Sequence, residues 1–367
     1  MRRLEYENLL DILYGCAILG TGGGGSLDEG IAMIQEALDA GKTFRLADFD
    51  ELDPDALIGT PYFCGAISPI TEAEKAKYAS LPVPEKNCFL LCMEQLEGFM
   101  GKELSGVIST ELGGCNTAAA LYVGAMTDRY ILDGDPAGRS VPGLQHSTYY
   151  ICGVPMCPMS VMNNWGEGAV FTHVCNDERG EDLVRALAAV SMNSIAVMDH
   201  VNTAAVLKDA VIPGAISQAE AVGHAFRQAK ASGGDYVAAA AQAGGGKLMF
   251  EGTVTRSAFE TRDGYTFGET EIAGSGSFAG RSLRIWYQNE NIISWLDGDY
   301  YVTVPDLICV FDRDNHLPQL NPYAREGEQV SVVAMPSPAA WRTPRGLELF
   351  GPRSFGYDTD YSPFCDE

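Results

Sequence analysis

The chain has 367 residues, of which 46% are hydrophobic and 20% charged, a composition typical of a globular protein large enough for two domains. Its 49 acidic and 25 basic side chains give a net charge of −24, which disfavours binding to nucleic acid and to acidic membranes. The N-terminus lacks the apolar run of a signal peptide, and no apolar run is long enough to span a bilayer. We therefore expect a cytoplasmic protein that binds neither nucleic acid nor membrane.

Five glycines occupy the six positions from 20 to 25, between two segments whose apolar residues have helical spacing. The second segment follows Ser26, a good N-cap residue. A dinucleotide-binding fold places such glycines after a strand, so this pattern is weak support for a nucleotide. A tight hairpin between two helices could be built with fewer than five glycines. We therefore predict that the backbone of Gly22, Gly23, Gly24 and Gly25 lies against a ligand or another backbone, and that its amides bind substrate.

The next segments predict an α/β arrangement. A buried strand is expected at 56–67, and residues 87–93 fit either a strand or the start of a helix. Two strands flanking a helix form a β-α-β unit with a parallel or mixed sheet, and further helices and an alternating β region follow. The β-α-β unit comprises residues 104–110, 116–127 and 129–135. The further helices are expected at 180–194 and 217–233, and the antiparallel β region at 247–335.

The predicted fold class is therefore α/β plus β, with a layered α/β domain followed by an antiparallel barrel-like or sandwich domain. We place the first domain at 1–168 and the second at 169–367. The second domain is expected to be helical over 178–246 and antiparallel over 247–335, with a tail, 336–367, that packs back onto it. Arg342, Arg345 and Arg353 in that tail suit either docking or a clamp on a substrate carboxylate.

Polar side chains follow two strands of the β-α-β unit. Glu111 comes at the end of one strand, and Asn116 is a plausible N-cap of the next helix. Because the carboxyl ends of parallel strands share one edge of a sheet, we expect a ligand there. A tight turn with Asn116 as a cap is the structural alternative.

The second strand is followed by Asp133, Asp135, Arg139 and His146. Two carboxylates, a guanidinium and an imidazole could activate water, grip an anionic group or hold a divalent metal. A solvated acidic loop with an internal ion pair is the alternative. Two cysteines, Cys64 and Cys115, also lie at element ends, but no paired base is readable from their spacing.

The ordered motifs resemble those of the S-methyl thiohydantoin desulfurase family, a widespread bacterial family whose genes often lie near those of hydantoinase/oxoprolinase proteins. The resemblance extends from about residue 8 to about residue 361. In chain order the motifs are GTGGGG, ELGGCN, LDGDPAGRSVPGLQ, QNEN, VPDLICVFD and GPRSFGYD. The chain departs from the family pattern at Ser140 and Val141, usually alanine and phenylalanine, and within ISPITEAEK, where a proline–threonine pair is usual. Both departures are expected to line the pocket.

The resemblance implies an α/β domain followed by a partly barrel-like one, and a hydrolysis in which water replaces the methylthio group of a five-membered ring and releases methanethiol. On this hypothesis Glu111, Asp133 or Asp135 activates water, directly or through a metal. Arg139 and the glycine amides then stabilise negative charge. The alternative is a non-catalytic partner of a hydantoinase-type enzyme. The apolar β segments also make a homo-oligomer plausible.

Overall fold

Two eight-stranded sheets organise the chain in the computed structural model, which describes residues 1–67 and 69–364. The helices are α1 (Tyr6–Leu19), α2 (Leu27–Asp39), α3 (Glu72–Tyr78), α4 (Cys88–Met100), α5 (Asn116–Met126), α6 (Thr148–Cys152), α7 (Asp177–Ala189), α8 (Ala204–Lys208), α9 (Ala215–Ala231), α10 (Tyr236–Ala243) and α11 (Pro344–Phe350).

The strands fall into two groups along the chain. Those before residue 214 are β1 (Arg2–Leu4), β2 (Phe44–Ala47), β3 (Leu57–Gly65), β4 (Gly106–Ile108), β5 (Tyr130–Leu132), β6 (Gly134–Asp135), β7 (Met159–Met162), β8 (Gly168–Phe171), β9 (Ser194–Thr203) and β10 (Ile212–Pro213). Those after it are β11 (Lys247–Arg262), β12 (Tyr265–Gly274), β13 (Ser282–Gln288), β14 (Glu290–Leu296), β15 (Asp299–Thr303), β16 (Leu307–Asp312), β17 (Leu317–Pro318) and β18 (Gln329–Met335).

The first sheet is mixed, with the order β1-β2-β5-β4-β3-β9-β7-β8. Its centre is parallel, because β2, β5, β4 and β3 pair in the same direction, whereas β9, β7 and β8 add antiparallel strands. The helix α5 connects β4 to β5 and is buried over nearly its whole length. The predicted β-α-β unit and mixed α/β fold are therefore confirmed.

The strand β9 corrects the prediction that residues 178–246 are helical. Its apolar core, from Ile195 to Met198, is buried because β3 and β7 pair with it on either side. This strand also carries the first sheet past residue 168, where we had predicted the domain boundary. Residues 87–93, which fit either a strand or the start of a helix in the sequence, form the start of a helix, because α4 begins at Cys88.

The second sheet is wholly antiparallel, with the order β15-β14-β13-β12-β11-β18-β16-β17. The sheet curls, so that β14 and β16, which are far apart in the strand order, come together. The side-chain Nδ2 of Asn291 in β14 donates to the carbonyl oxygen of Ile308 in β16 at 2.9 Å. The antiparallel region predicted after residue 247 is therefore confirmed.

The C-terminal segment packs back onto this sheet through the buried carboxylate of Asp306. This carboxylate accepts hydrogen bonds from the Tyr361 hydroxyl and the Phe364 amide, at 2.8 and 3.0 Å, and pairs with Arg342 at 3.5 Å. Arg353 pairs with Asp358 and Asp360 near it in the chain. These contacts favour docking within the chain over a substrate clamp.

Candidate functional site

A cavity of about 650 Å³ lies where the two sheets meet. The first half of the chain lines it with the N-terminus of α2, the loops after β3 and β4, and α7. The second half contributes the turn between β13 and β14 and the loop around Tyr323. Its volume suits a small organic ligand, for which sites of roughly 300–1,000 Å³ are usual.

Glu111 is the predicted catalytic residue that the structure places in this cavity. It adopts φ 60°, a left-handed conformation that is rare for glutamate. Its Oε2 accepts a hydrogen bond from Asn116 Nδ2 at 3.3 Å. Burial, and next the charge of Glu290, raise the pKa of Glu111 well above its usual value. The protonated form of this carboxyl group is therefore favoured relative to that of an exposed glutamate.

Glu290 is the second carboxylate in the cavity, and the sequence analysis missed it. It opens β14 and is 2% exposed. Its Oε1 accepts a hydrogen bond from the Ser140 hydroxyl at 2.9 Å, whereas its buried Oε2 has no partner in the described residues. Burial raises its pKa to about 7, although Ser140 and Arg139 act in the opposite direction. The sequence feature that could have identified Glu290 as a site residue is its position in the QNEN motif.

The glycine run lies against protein groups for most of its length. A Cβ at Gly22 would come within 2.5 Å of Asn321, one at Gly23 within 1.8 Å of Glu290 Oε1, and one at Gly24 within 2.5 Å of the Gly113 backbone. Of the four predicted glycines, only Gly24 and Gly25 line the cavity. The described residues provide no acceptor for the amides of Gly24 and Gly25, which leaves both free for a ligand.

Asn116 lines the cavity, but it does not cap the helix as predicted. Cys115 occupies the N-cap position of α5, and Asn116 is the first helical residue. Its Oδ1 accepts a hydrogen bond from the Phe63 amide in β3 at 3.0 Å, while its Nδ2 holds Glu111. Asn116 therefore fixes the position of Glu111 relative to the sheet.

Asp133, for which we predict a water-activating role, binds the N-terminus of α9 through both its carboxylate oxygens and does not line the cavity. Oδ1 accepts the amides of Ile216 and Ser217 at 3.0 and 3.1 Å, and Oδ2 accepts the Ser217 hydroxyl. Asp135 also lies outside the cavity. Its Oδ1 accepts the amides of Ala137 and Gly138, both at 2.7 Å, and its burial raises the pKa to about 7.

Arg139, for which we predict contact with an anionic group, has a fully buried guanidinium bound to protein oxygens. Nη1 donates to the carbonyls of Pro305 and Asp306, at 2.9 and 3.1 Å. Nη2 donates to the Thr21 hydroxyl at 2.9 Å and to the Asn291 carbonyl at 3.2 Å. Arg139 therefore joins the glycine run to the second sheet.

Arg185, which lines the cavity, belongs to a buried ion pair that the sequence did not reveal. Arg185 Nε donates to Glu181, whose other oxygen accepts the Leu144 amide at 3.0 Å. The guanidinium also stacks 3.7 Å from the ring centroid of Tyr265 and donates to the Pro142 carbonyl at 2.8 Å. Arg185 therefore brings a positive charge close to Glu111 without being free to move.

Two cavity-lining thiols are unsuited to nucleophilic attack. Burial raises the pKa of Cys115 to about 12 and raises that of Cys64 as well. Each thiol is therefore protonated at neutral pH, and the protonated form is a poor nucleophile.

The acidic residues do not form the metal site that the sequence left open. Asp133 is bound to α9, and the described ranges contain no cluster of three or more His, Cys, Asp or Glu side chains suited to a metal ion. We therefore assign no step to a metal. His146 lies beside a second, smaller cavity rather than the main one.

The comparisons with known proteins cover both halves of the chain. Residues 7–173 match the family model described as the S-Me-THD-like N-terminal domain, and residues 175–364 match the S-Me-THD-like C-terminal domain. An X-ray structure of a structural-genomics target from Chromobacterium violaceum superposes with a TM-score of 0.74 at 22% identity, over 99% of this chain and 100% of that one. No curated protein matches the chain. Among the helices described, none is long and apolar enough to cross a membrane.

Proposed function

Because this chain belongs to the S-Me-THD-like family, we propose that it hydrolyses an S-methyl thiohydantoin or a closely related five-membered cyclic amidine. Water attacks the ring carbon that carries the methylthio group, a C–O bond forms, and the C–S bond breaks. One proton of the water leaves with sulfur as methanethiol, and the other ends on the ring nitrogen, which gives a hydantoin.

The observation that carries this proposal is the pair of carboxyl groups, Glu111 and Glu290, that line one cavity. Burial raises the pKa of Glu111 well above its usual value and raises that of Glu290 to about 7, so Glu290 is partly ionised at neutral pH. Two carboxyl groups whose environments differ in this way suit general acid and general base catalysis. We assign Glu290 as the base that takes a proton from water and Glu111 as the acid that protonates the leaving sulfur.

The free amides of Gly24 and Gly25 support the same chemistry. They lie at the N-terminal end of α2, where the helix dipole adds partial positive charge. Fixed donors of this kind stabilise negative charge as it develops on a ring nitrogen or on the leaving sulfur. Arg185, which also lines the cavity, adds a positive charge.

The proposal is tested by methanethiol release from S-methyl thiohydantoin acids, measured beside ring opening of plain hydantoins, with and without a chelator. We expect release of thiol by the wild type. Glu290→Gln should lower kcat by about 10²–10⁴-fold, since it removes the general base. Glu271→Gln, the same change at a surface ion pair on β12, is the matched control. Full activity of Glu290→Gln would refute the assignment of the base.

The accessory-protein alternative predicts that the purified chain turns over none of these compounds. A cytoplasmic location, a homo-oligomer and a hydantoinase-type partner stay predictions.

A further inference from the structure

A second cavity, of about 10 Å³, adjoins the main one. Glu111, Val141 and Leu144 line both, so the Glu111 side chain stands between them. A volume of this size is close to the ~10–15 Å³ that one water molecule requires. Most of the other side chains around it are polar, namely Thr60, Tyr62, His146, Ser147, Asp199 and His200.

His146 offers a hydrogen-bond donor beside this cavity. Its Nδ1 accepts the Gly143 amide at 3.1 Å. Burial, and next the charges of Arg139 and Arg185, lower the pKa of the imidazole to about 3, so the ring is neutral and carries its one proton on Nε2. That N–H has no acceptor among the residues described.

Tyr62 offers an acceptor. Its hydroxyl donates to Asp199 Oδ2 at 2.7 Å, so the phenol oxygen keeps lone pairs for an incoming hydrogen bond. Asp199 Oδ1 lies 2.9 Å from Nδ1 of His200, whose Nε2 lies 3.3 Å from Asp177 Oδ2. Tyr62, Asp199, His200 and Asp177 are all at most 5% exposed. The chain of contacts therefore fixes the Tyr62 hydroxyl in one direction.

The charge of His200 stabilises this arrangement. Burial alone lowers the pKa of the imidazole, but Asp199 and Asp177 outweigh it and raise the pKa to about 9. The imidazolium lies beside Asp199, whose Oδ2 accepts the Tyr62 hydroxyl proton.

We propose that one water molecule occupies the small cavity and hydrogen-bonds to Glu111, to Nε2 of His146 and to the phenol oxygen of Tyr62. Tyr62 and Asp199 are then positioning residues that act on Glu111 through this water. The protonated form of Glu111 donates to the water, the water donates to Tyr62, and Tyr62 donates to Asp199. The catalytic consequence rests on the proposed function; the presence of the water does not.

The water acts on Glu111 among several other titratable and charged groups. The charged groups that act on Glu111 are Glu290 from β14, Glu181 and Arg185 from α7 and Asp135 from β6, and the titratable groups of β3 that interact with it are Tyr62 and Cys64. Tyr62→Phe leaves all four charges in place. A change in Glu111 titration in that variant therefore reports on the phenol oxygen and the water.

The first test is a high-resolution crystal structure of the wild-type protein. We expect one ordered water within hydrogen-bond distance of Glu111 and Tyr62. An empty cavity, or one filled by a shifted side chain, would overturn the proposal whether or not the protein is an enzyme.

The second test is Tyr62→Phe, which removes the phenol oxygen and keeps the ring. Without that acceptor the protonated form of Glu111 is less stabilised, so the alkaline limb of the pH–rate profile should move to lower pH. We expect kcat to fall about tenfold and KM to change less than about twofold. Tyr287→Phe removes another buried hydroxyl, which has no partner in the described part of the chain and lines neither cavity, and should leave the profile unchanged.

The outcomes separate the two proposals. An active wild type with an unchanged profile in Tyr62→Phe overturns the positioning role alone. If the wild type shows no turnover, the proposed function fails, and the ¹³C carboxyl shift of Glu111 then decides: a lower apparent pKa of Glu111 in Tyr62→Phe supports the water network, and an equal one refutes it.

Discussion

Position 23 has room for a hydrogen atom and nothing larger, because a Cβ there would lie 1.8 Å from Oε1 of Glu290. The glycine is therefore explained by a contact with a carboxylate more than 250 residues later in the chain, and not by a turn. Gly23 supports one side of Glu290 while Ser140 donates to it at 2.9 Å. The position of the proposed base depends on both.

Gly23→Ala should lower activity more than stability. The added methyl group displaces the Glu290 carboxylate, and we expect kcat for thiol release to fall at least about tenfold, as for a misplaced general base. Gly98→Ala is the matched control: a Cβ there, inside α4, meets nothing within 4 Å and should stabilise the protein by roughly 0.5–1 kcal/mol. Wild-type turnover by Gly23→Ala would show that the position of Glu290 does not matter.

At the scale of secondary-structure elements, Asp133 caps the helix α9 although it lies far from that helix in the sequence. The N-cap residue of α9 is Gly214, which has no side chain to accept the first amides of the helix. The carboxylate of Asp133, which follows β5, accepts two of them instead. This explains why an aspartate at a strand end does not face the cavity.

Asp133→Ala should therefore destabilise the protein and leave its activity intact. Loss of a cap of this kind costs about 0.5–2 kcal/mol, which chemical denaturation would measure. Asp55→Ala, at an exposed side chain, is the control. A fall in kcat with unchanged stability would instead restore Asp133 to the active site.

Local patterns predicted most elements of the fold. The apolar spacing, Ser26 and the alternation after residue 247 each depend on neighbours in sequence, and the structure confirms all three. The strand β9 was missed because its burial depends on pairing with β3 and β7, which a short apolar run does not reveal.

The site was less predictable than the fold. The sequence placed Glu111 and Asn116 at the right edge of the sheet, since both follow β4 directly. The sequence could not show that Asp133 and Glu111 have different surroundings. Asp133 binds the N-terminus of α9, whereas Glu111 shares a cavity with Glu290. Both partners come from distant parts of the chain, and spacing carries no information about them.

At the scale of the whole molecule, the buried carboxyl groups make stability depend on pH. Asp135 has its pKa raised from 3.8 to about 7 by burial, so the folded state binds its proton more tightly than the unfolded chain. Its contribution to the free energy of unfolding is fully present below pH ~4 and is lost as pH rises through 7, with a slope of at most about 1.4 kcal/mol per pH unit.

Asp135→Asn should flatten this part of the pH–stability curve. The amide oxygen can still accept the Ala137 and Gly138 amides, but the side chain no longer titrates. The measurement is the difference between the denaturation free energies of wild type and variant from pH 4 to 8, which cancels the contributions of other groups. Asp55→Asn is the control. A difference that does not change with pH would contradict the raised pKa of Asp135.

The two carboxyl groups of the proposed mechanism fall on opposite sides of the division between the family's two domain models, Glu111 within residues 7–173 and Glu290 within 175–364. Arg139 and Gly23 make further contacts across the same division. Neither half carries a complete site that could be duplicated, lost or exchanged independently. We therefore expect the two halves to be inherited together, with the residues at positions 23 and 290 changing in concert over evolution.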